Sequence, residues 1–195
     1  MIFSPSAHRQ YLAFNKPYEV ICQFSEAGTK VTLGQFGFPE NVYPVGRLDY
    51  DSEGLLILSD DGRLTKVLLE GLHGRTYLVQ VEGEASDQQL DELSQGVFIE
   101  GRRTKPAEAF AIDGEPALPE RSKPIRFRKN IPTSWLELTI FEGRNRQVRK
   151  MTAAVGLPTL RLTRVAIGSL SLFDLKLKPG QWCHLSDAQV LKLFD

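Results

Sequence analysis

The spacing of apolar residues predicts a chain of short strands and helices without a regular strand–helix–strand repeat. Thr76–Val81 and Trp135–Phe141 alternate apolar and polar side chains, which is the period of a half-buried strand. Leu55–Leu58 is a short apolar run after a glycine and is predicted to be a buried strand. Further predicted strands are Tyr11–Pro17, Val20–Phe24, Val97–Ile99, Ala107–Ile112 and Thr159–Ile167.

Helices are indicated by capping signals as well as by spacing. Ser86 and Ser186 are each followed three residues later by a glutamine, the pattern of a capping box, and each should open a helix. Leu64–Glu70 and Asn145–Val155 have helical spacing, whereas Asp113–Lys123 is rich in Pro, Glu and Gly and should be a surface loop. The pattern therefore predicts an α+β fold with an extended, mixed, mostly antiparallel sheet and flanking helices.

Length and composition set the class of protein. The chain has 195 residues, of which 42% are apolar, which suits one large globular domain or two small lobes that share a core. It lacks a run of 18 apolar residues, and its first residues lack the basic start and apolar run of a signal peptide. Two cysteines cannot build a disulfide framework. We therefore predict a cytoplasmic protein that is not embedded in a membrane.

Charge is balanced over the chain but not along it. The formal net charge is zero, from 24 basic and 24 acidic residues. Residues 82–120 carry ten acids and three bases, and residues 121–150 carry nine bases and two acids. The basic segment could attract phosphate groups, or the two segments could face each other or be merely solvated.

The most unusual stretch is the acidic loop Gly46–Leu56. Three acids, Asp49, Asp51 and Glu53, fall within five residues directly before the apolar run. Their positions approach those of an EF-hand calcium loop, but such a loop needs a helix on each side, and neither flank has a helical pattern. Two other interpretations stay open: a solvated turn, or a catalytic carboxylate of the kind that stabilises positive charge at a sugar carbon or attacks that carbon.

Several motifs along the chain together resemble the pseudouridine synthases that modify ribosomal RNA, in the subfamily named for the small-subunit enzyme. Gly46-Arg47-Leu48-Asp49 followed by Gly54-Leu55-Leu56 resembles the family signature. In order along the chain, the other matching segments are Phe14–Pro17, Arg75–Val79, Glu142–Met151, Leu162–Gly168 and Leu177–Trp182. The resemblance covers about residues 11–185. One departure is Glu19, which stands where the family usually has glycine.

The resemblance implies both a domain organisation and a reaction. It implies one catalytic domain over residues 1–195, with a central catalytic cleft and with two lobes sharing one sheet as a possible form. We expect no separate N-terminal RNA-binding module, and this expectation favours the large-subunit RNA as substrate. The implied reaction isomerises a specific uridine in ribosomal RNA to pseudouridine. Asp49 would promote cleavage of the glycosidic bond, and the uracil would then reattach through carbon 5.

The resemblance also implies roles for individual side chains. Asp49, Tyr77 and Arg149 are the predicted catalytic residues: Tyr77 would stack on the extruded uracil, and Arg149 would keep the carboxylate ionised and oriented. Arg47 would hold the catalytic loop or contact phosphate. The predicted contacts to the RNA backbone are Lys16, Arg47, Arg144, Arg146, Lys150, Arg161 and Arg164.

The three histidines show no ligand spacing among themselves, and the isomerisation needs nothing to enter or leave. We therefore predict no metal, no organic cofactor and no obligatory protein partner. Two rival functions stay open at this stage. One is a non-catalytic RNA-binding module that uses the same basic face. The other is hydrolysis of a glycosidic bond by paired carboxylates, which would need a second essential acid.

Overall fold

The computed structural model describes residues 3–71, 73–125 and 131–195. The strands are β1 (Tyr11–Lys16), β2 (Val20–Ile21), β3 (Val31–Thr32), β4 (Tyr43–Pro44), β5 (Glu53–Ser59), β6 (Arg75–Glu82), β7 (Phe98–Ile99), β8 (Arg102–Arg103), β9 (Ala107–Ile112), β10 (Thr133–Ile140), β11 (Thr159–Ile167), β12 (Leu170–Ser171) and β13 (Trp182–His184). The helices are α1 (Gly62–Glu70), α2 (Asp87–Gln95), α3 (Gln147–Ala154), α4 (Leu172–Leu175) and α5 (Asp187–Leu191). The predicted α+β fold with a large, mostly antiparallel sheet is confirmed.

The chain divides into two compact units. Unit 1 comprises Met1–His73 and Val165–Asp195, and unit 2 comprises Gly74–Arg164. The prediction of a single catalytic domain with a central cleft stays a prediction. In the described ranges, no helix is both long enough and apolar enough to cross a membrane.

Unit 1 is built around β1, which pairs antiparallel with β13 on one side and with β5 on the other. Both β1 and β5 are buried along their whole length, which explains why their sequences read as apolar runs rather than as alternating patterns. On one face, Ala13 and Ile57 belong to the same buried hydrophobic cluster as Leu64 of α1 and Val190 of α5. On the other face, Phe14 packs edge-on against two aromatic rings of the 33–38 segment.

Unit 2 is built around β10, which pairs antiparallel with β6 and with β9. Leu136 and Leu138 are fully buried while Glu137 between them is exposed, so the predicted alternation is confirmed. The predicted capping box at Ser86 is also confirmed, because Ser86 Oγ accepts from Gln89 N and Gln89 Oε1 accepts from Ser86 N. Helix α2 therefore begins where the sequence placed it.

Two predicted elements differ from the structure. Val20–Phe24 is a strand only over Val20–Ile21, because Gln23 N donates to the Ile21 carbonyl and this tight turn ends the extended segment. The polar turn expected between Val97–Ile99 and Ala107–Ile112 contains the extra strand β8, which pairs with β7 to form a hairpin. Part of the basic segment, residues 126–130, lies outside the described residues.

Candidate active site

Hydrogen bonds to the backbone carbonyls of the acidic loop hold it in place within unit 1. The Asp49 carbonyl accepts from Ser52 N at 3.1 Å, which makes a tight turn, and the Tyr50 carbonyl accepts from Glu19 N at 2.8 Å. The thiol of Cys22 donates to the Leu48 carbonyl at 3.2 Å. The half-buried Asp49 side chain is therefore carried by a loop that is tied at three successive residues, immediately before the buried strand β5. Such a loop can hold a carboxylate in one place for chemistry.

The ammonium group of Lys16 interacts electrostatically with the acids of this loop. Lys16 is fully buried, and its Nζ donates to the carbonyls of Pro17 and Val20 at 2.9 Å each. Burial lowers the pKa of Lys16 to about 8, while Cys22, Glu53, Asp51 and Asp49 act in the opposite direction. A buried, internally bonded ammonium group does not have the surface placement that the predicted contact to the RNA backbone requires.

The three neighbouring acids occupy different environments. Asp49 and Asp51 are half-buried in the loop, whereas Glu53 is buried as the first residue of β5. The loop is flanked by β4 and β5, and not by the two helices that an EF-hand needs. Among the described residues, no group of three or more His, Cys, Asp or Glu side chains could hold a metal ion.

Backbone conformation explains two glycine positions of the motifs. Gly54 has φ 102° and pairs with Lys16 across β5 and β1, so this strand position needs a residue without a Cβ. Glu19, the residue that departs from the usual glycine, has φ 60°, in the left-handed region. The conformation that favours glycine is therefore kept, and here a glutamate adopts it.

Three of the motif segments come together within unit 1. Asn15 Nδ2 donates to the Leu177 carbonyl at 2.8 Å. The backbone of Asn15 is bonded to Gly180 and Gln181, and Phe14 pairs with Trp182 across β1 and β13. The motif at Phe14–Pro17 thus lies between β5 and the closing segment Leu177–Trp182, although Asn15 and Leu177 are 162 residues apart in the sequence.

Tyr77, the predicted stacking residue, lies in β6 of unit 2. Its side chain is 7% exposed, and it pairs with Leu138 of β10. Arg75, two residues earlier on the same strand, is buried. The pKa of Arg75 is lowered first by burial and then by the like charge of Arg164, while Tyr77 acts in the opposite direction. A concentration of buried positive charge around a tyrosine can stabilise an anionic ligand or a carboxylate.

The segment Glu142–Met151 leads from β10 into α3. Arg149 is half-buried in α3, whereas Arg146, which caps this helix in the left-handed conformation, is exposed. Arg144 donates through Nη2 to the Ile99 carbonyl at 2.9 Å and through Nη1 to the Arg102 carbonyl at 3.3 Å. Lys150 forms an ion pair with Glu100 at 2.6 Å. Arg144 and Lys150 therefore hold the β7–β8 hairpin.

The remaining predicted RNA contacts also separate by burial. Arg47 is exposed in the acidic loop. Arg161 and Arg164 are 7% and 4% exposed, and Arg161 Nη2 donates to the Pro119 carbonyl at 2.8 Å. Burial at this level leaves little of either guanidinium for contact with a phosphate at the surface. Arg47 and Arg146 are the two predicted contacts with exposed side chains.

An exposed basic pair in the acidic segment 82–120 is not among the RNA contacts predicted from the sequence. Arg102 and Arg103 are exposed on β8, and Phe98 on β7 is 70% exposed. They were missed because the surrounding acids dominate the charge of the segment. The available signal was local: all three bases of that segment, Arg102, Arg103 and Lys105, fall within four residues beside a glycine.

Comparison with known proteins gives strong matches over most of the chain. A sequence profile described as RNA pseudouridylate synthase matches residues 10–154. Ribosomal large subunit pseudouridine synthase E of Xanthomonas campestris pv. campestris is 52% identical over 182 residues, which cover 91% of this chain and 96% of that protein. The protein of the same name from Vibrio parahaemolyticus is 47% identical over 177 residues, which cover 90% of this chain and 73% of that protein.

A solved structure has the same fold. A crystal structure of a pseudouridylate synthase superposes with a TM-score of 0.78 at 28% sequence identity, and the match covers 98% of this chain and 75% of that one. These matches confirm the resemblance that the motifs predicted, including its nearness to the large-subunit enzymes.

Proposed function

The chain belongs to the RNA pseudouridylate synthase family, and from this premise we propose that it isomerises a uridine of large-subunit ribosomal RNA to pseudouridine. The observation that carries the proposal is the 52% identity with a large-subunit enzyme across 96% of that enzyme's length. The substrate in this proposal is ribosomal RNA, and the site of action is the cytoplasm.

The reaction begins when the target uridine is turned out of its RNA fold into the site. Asp49 promotes cleavage of the bond between uracil N1 and the ribose. The uracil turns within the site and rejoins the ribose through carbon 5. The proton on carbon 5 then leaves, and N1 takes up a proton, so the isomerisation balances. Three routes use one carboxylate in this way: attack on the sugar carbon, removal of a sugar proton, or attack on the uracil ring. Substrate and product have the same atoms, so no co-reactant enters the balance.

The acidic loop supports Asp49 in this role. Three backbone-directed bonds fix Leu48, Asp49 and Tyr50, so little reorganisation is needed when charge develops on the sugar. The Lys16 ammonium group interacts electrostatically with Asp49, Asp51 and Glu53 and offsets the repulsion among the three acids. We therefore interpret Lys16 as a support of the loop and not as a contact to RNA.

Tyr77 and Arg149 complete the proposed catalytic set. The ring of Tyr77 suits stacking on the extruded uracil, which presents a flat face once it leaves the RNA stack. The guanidinium of Arg149 is permanently charged and planar, which suits the stabilisation of a carboxylate. Arg149→Ala should therefore abolish turnover, with pseudouridine yield at saturating RNA as the measurement. Arg146→Ala, at a predicted RNA contact, should weaken binding but keep turnover under the same conditions.

The central test compares two acids of one loop. Asp49→Asn keeps the shape of the side chain and removes its charge, so RNA binding and the thermal midpoint should be kept while pseudouridine formation falls below detection. Asp51→Asn is the matched control, because Asp51 is also half-buried and lies two residues away, and it should keep substantial activity.

Pseudouridine yield on unmodified large-subunit RNA, RNA affinity and thermal midpoint should be measured for both variants. A clearly active Asp49→Asn enzyme would overturn the proposed mechanism. A wild-type chain that binds the RNA without forming pseudouridine would support the non-catalytic RNA-binding function. Release of free uracil with a second essential acid would support the hydrolase.

Substitutions of Tyr77 distinguish a stacking role of its ring from a proton-transfer role of its hydroxyl group. Tyr77→Phe keeps the ring and should keep most of the RNA affinity, whereas Tyr77→Ala should weaken binding by about 1–3 kcal/mol, the range for one stacked base. Equal inactivity of the Phe and Ala variants in a single-turnover assay would transfer the role from the ring to the hydroxyl group.

A further inference from the structure

The β7–β8 hairpin exposes an aromatic residue to solvent. Phe98 is 70% exposed, while its neighbour Ile99 is 5% exposed and anchors the opposite face of the hairpin. The strand register pairs Phe98 with Arg103, so the two side chains share the outward face. The flat ring of Phe98 and the permanently charged guanidinium of Arg103 therefore belong to one exposed face of the hairpin.

The hairpin is held rigidly, although a two-stranded hairpin alone is only marginally stable. Glu100 and Gly101 both have positive φ, 52° and 76°, as a two-residue turn of this hand requires. Arg144 and Lys150 tie the turn from the side through the Ile99 and Arg102 carbonyls and the Glu100 carboxylate. Rigid presentation lowers the entropy lost when a ligand binds to the exposed face.

The base of the hairpin is closed by Thr104. Its backbone N donates to the Val97 carbonyl at 2.9 Å, and its Oγ1 accepts from Val97 N at 3.0 Å. Arg103 Nε donates to the Gly96 carbonyl at 3.1 Å, which restricts the positions that the guanidinium can take. The charge is therefore anchored before any ligand arrives, on the face that the strand register gives to Phe98.

A second exposed phenylalanine in the same unit shows what distinguishes Phe98. Phe110 is 58% exposed on β9, but its cross-strand partner is Glu137, and Glu108 lies two residues before it on the same face. Acids around Phe110 repel phosphate, whereas Arg103 beside Phe98 attracts it. Of these two phenylalanines, only Phe98 has a positively charged cross-strand partner. That charge favours a ligand that carries both negative charge and flat bases.

We propose that the β7–β8 hairpin is a contact site for unpaired RNA outside the catalytic set, in which Phe98 stacks on a base and Arg103 binds an adjacent phosphate. This inference rests on the proposed function, since it takes RNA as the substrate. Stacked aromatic rings beside a basic side chain are the usual means of binding single strands. The site binds flanking nucleotides and leaves the reacting uridine to the catalytic residues.

Two probes separate stacking from simple charge attraction. One is a single-stranded RNA of about 12 nucleotides, within the site sizes of single-strand-binding folds, and the other is the fully paired duplex of the same sequence. Phe98→Ala and Phe98→Leu should weaken binding of the single strand by roughly 5- to 150-fold and affect the duplex much less, whereas Phe98→Trp should keep the affinity. Phe110→Ala is the matched control and should bind both RNAs as the wild type does.

The arginines give an independent measurement. Arg103→Gln keeps an N–H donor for Gly96 and removes the charge, so the slope of log affinity against log salt should fall by about 0.7, the value for one phosphate contact of a single strand. Arg102→Gln is the control, because Arg102 pairs with Ile99 on the other face, and its slope should change less.

The outcomes keep the two proposals apart. Absence of pseudouridine formation by the wild type on large-subunit RNA contradicts the proposed function. An active wild type whose Phe98→Ala variant binds the single strand within about twofold of it overturns the hairpin site. Equal losses for the single strand and the duplex also overturn it, as does a Phe98 surface that binds a protein while leaving RNA affinity unchanged.

Discussion

At the residue scale, Lys16 determines the electrostatics of the acidic loop. A fully buried ammonium group is costly unless it is hydrogen bonded and faced by opposite charge, and Lys16 has both forms of compensation. The compensation is incomplete, because burial still lowers its pKa to about 8. The stability of the folded chain should therefore depend on pH in the alkaline range.

The expected dependence follows from the direction of the shift. The pKa of Lys16 falls from 10.5 to about 8 on folding, so between these values the unfolded chain holds a proton that the folded chain has released. The contribution of Lys16 to the free energy of unfolding should consequently rise with pH through that window, by up to about 3 kcal/mol for a pKa shift of this size. Urea unfolding at several pH values should show that the free energy of unfolding of the wild type rises relative to that of Lys16→Met from pH 8 upwards. A constant difference between the two proteins would contradict the lowered pKa.

Glu19 provides a second test at the residue scale. At φ 60° a side chain with a Cβ is strained, and glycine is not. Glu19→Gly and Glu19→Ala both remove the carboxylate, so the difference between them isolates the backbone. We expect the Gly variant to be more stable than the Ala variant by about 0.5–1 kcal/mol, after allowance for the greater freedom of glycine in the unfolded chain. Chemical denaturation measures this difference, and equal stability of the two variants would mean that the turn relaxes.

At the element scale, the loop before α3 supports the β7–β8 hairpin. Arg144 reaches two hairpin carbonyls, and Lys150 reaches the turn residue Glu100. Glu142 accepts from Lys105 N at 3.0 Å and from Gln147 Nε2 at 2.8 Å, which links the loop, the helix and the base of the hairpin. The basic segment Glu142–Met151 thus contributes partly by supporting the β7–β8 hairpin.

Arg144 and Arg146 should therefore differ when each is replaced singly. Arg144→Ala removes two charge-assisted hydrogen bonds, and backbone amides of the hairpin should exchange hydrogen faster, with local opening easier by about 1–3 kcal/mol. Arg146→Ala, at an exposed position, should leave hairpin exchange unchanged and lower the salt slope of RNA binding. Unchanged exchange in Arg144→Ala would show that the hairpin is stable without these bonds.

At the scale of the whole molecule, a neutral chain is proposed to bind a polyanion. Zero net charge gives no general attraction to RNA, so binding depends on where basic side chains are exposed. Burial divides the predicted contacts into internal supports, such as Lys16 and Arg161, and surface arginines, such as Arg47 and Arg146. Association with RNA should therefore weaken as salt is raised.

The reaction should proceed without an added metal ion or cofactor. Isomerisation conserves the atoms of the substrate, and a carboxylate can assist cleavage of the glycosidic bond directly. Pseudouridine should form in the presence of excess chelator, with monovalent salt used to fold an RNA fragment. Loss of activity that a divalent ion restores, on an RNA whose fold is unchanged by that ion, would contradict this prediction.

The sequence by itself determined the local features whose physics is local. Capping at Ser86 and Ser186 and the alternation along β10 depend on neighbouring residues, and each was predicted correctly. The apolar run Leu55–Leu58 also indicated a buried strand correctly, although strands distant in the chain complete the burial of β5. The order of the motifs likewise identified the family, because a motif records residue types and spacing. The catalytic roles of Asp49, Tyr77 and Arg149 stay predictions.

Only the tertiary structure decided which charged side chains reach the surface. Lys16 and Arg161 carry the same charge in the sequence as Arg47 and Arg103, yet the first two are buried and bonded to backbone carbonyls, and the last two are exposed. Burial depends on strands and loops that are distant in the chain, such as the pairing of β1 with β5 and the contact of Arg161 with Pro119. Local composition does not contain that information. The exposed face of the β7–β8 hairpin could therefore be identified only from the tertiary structure.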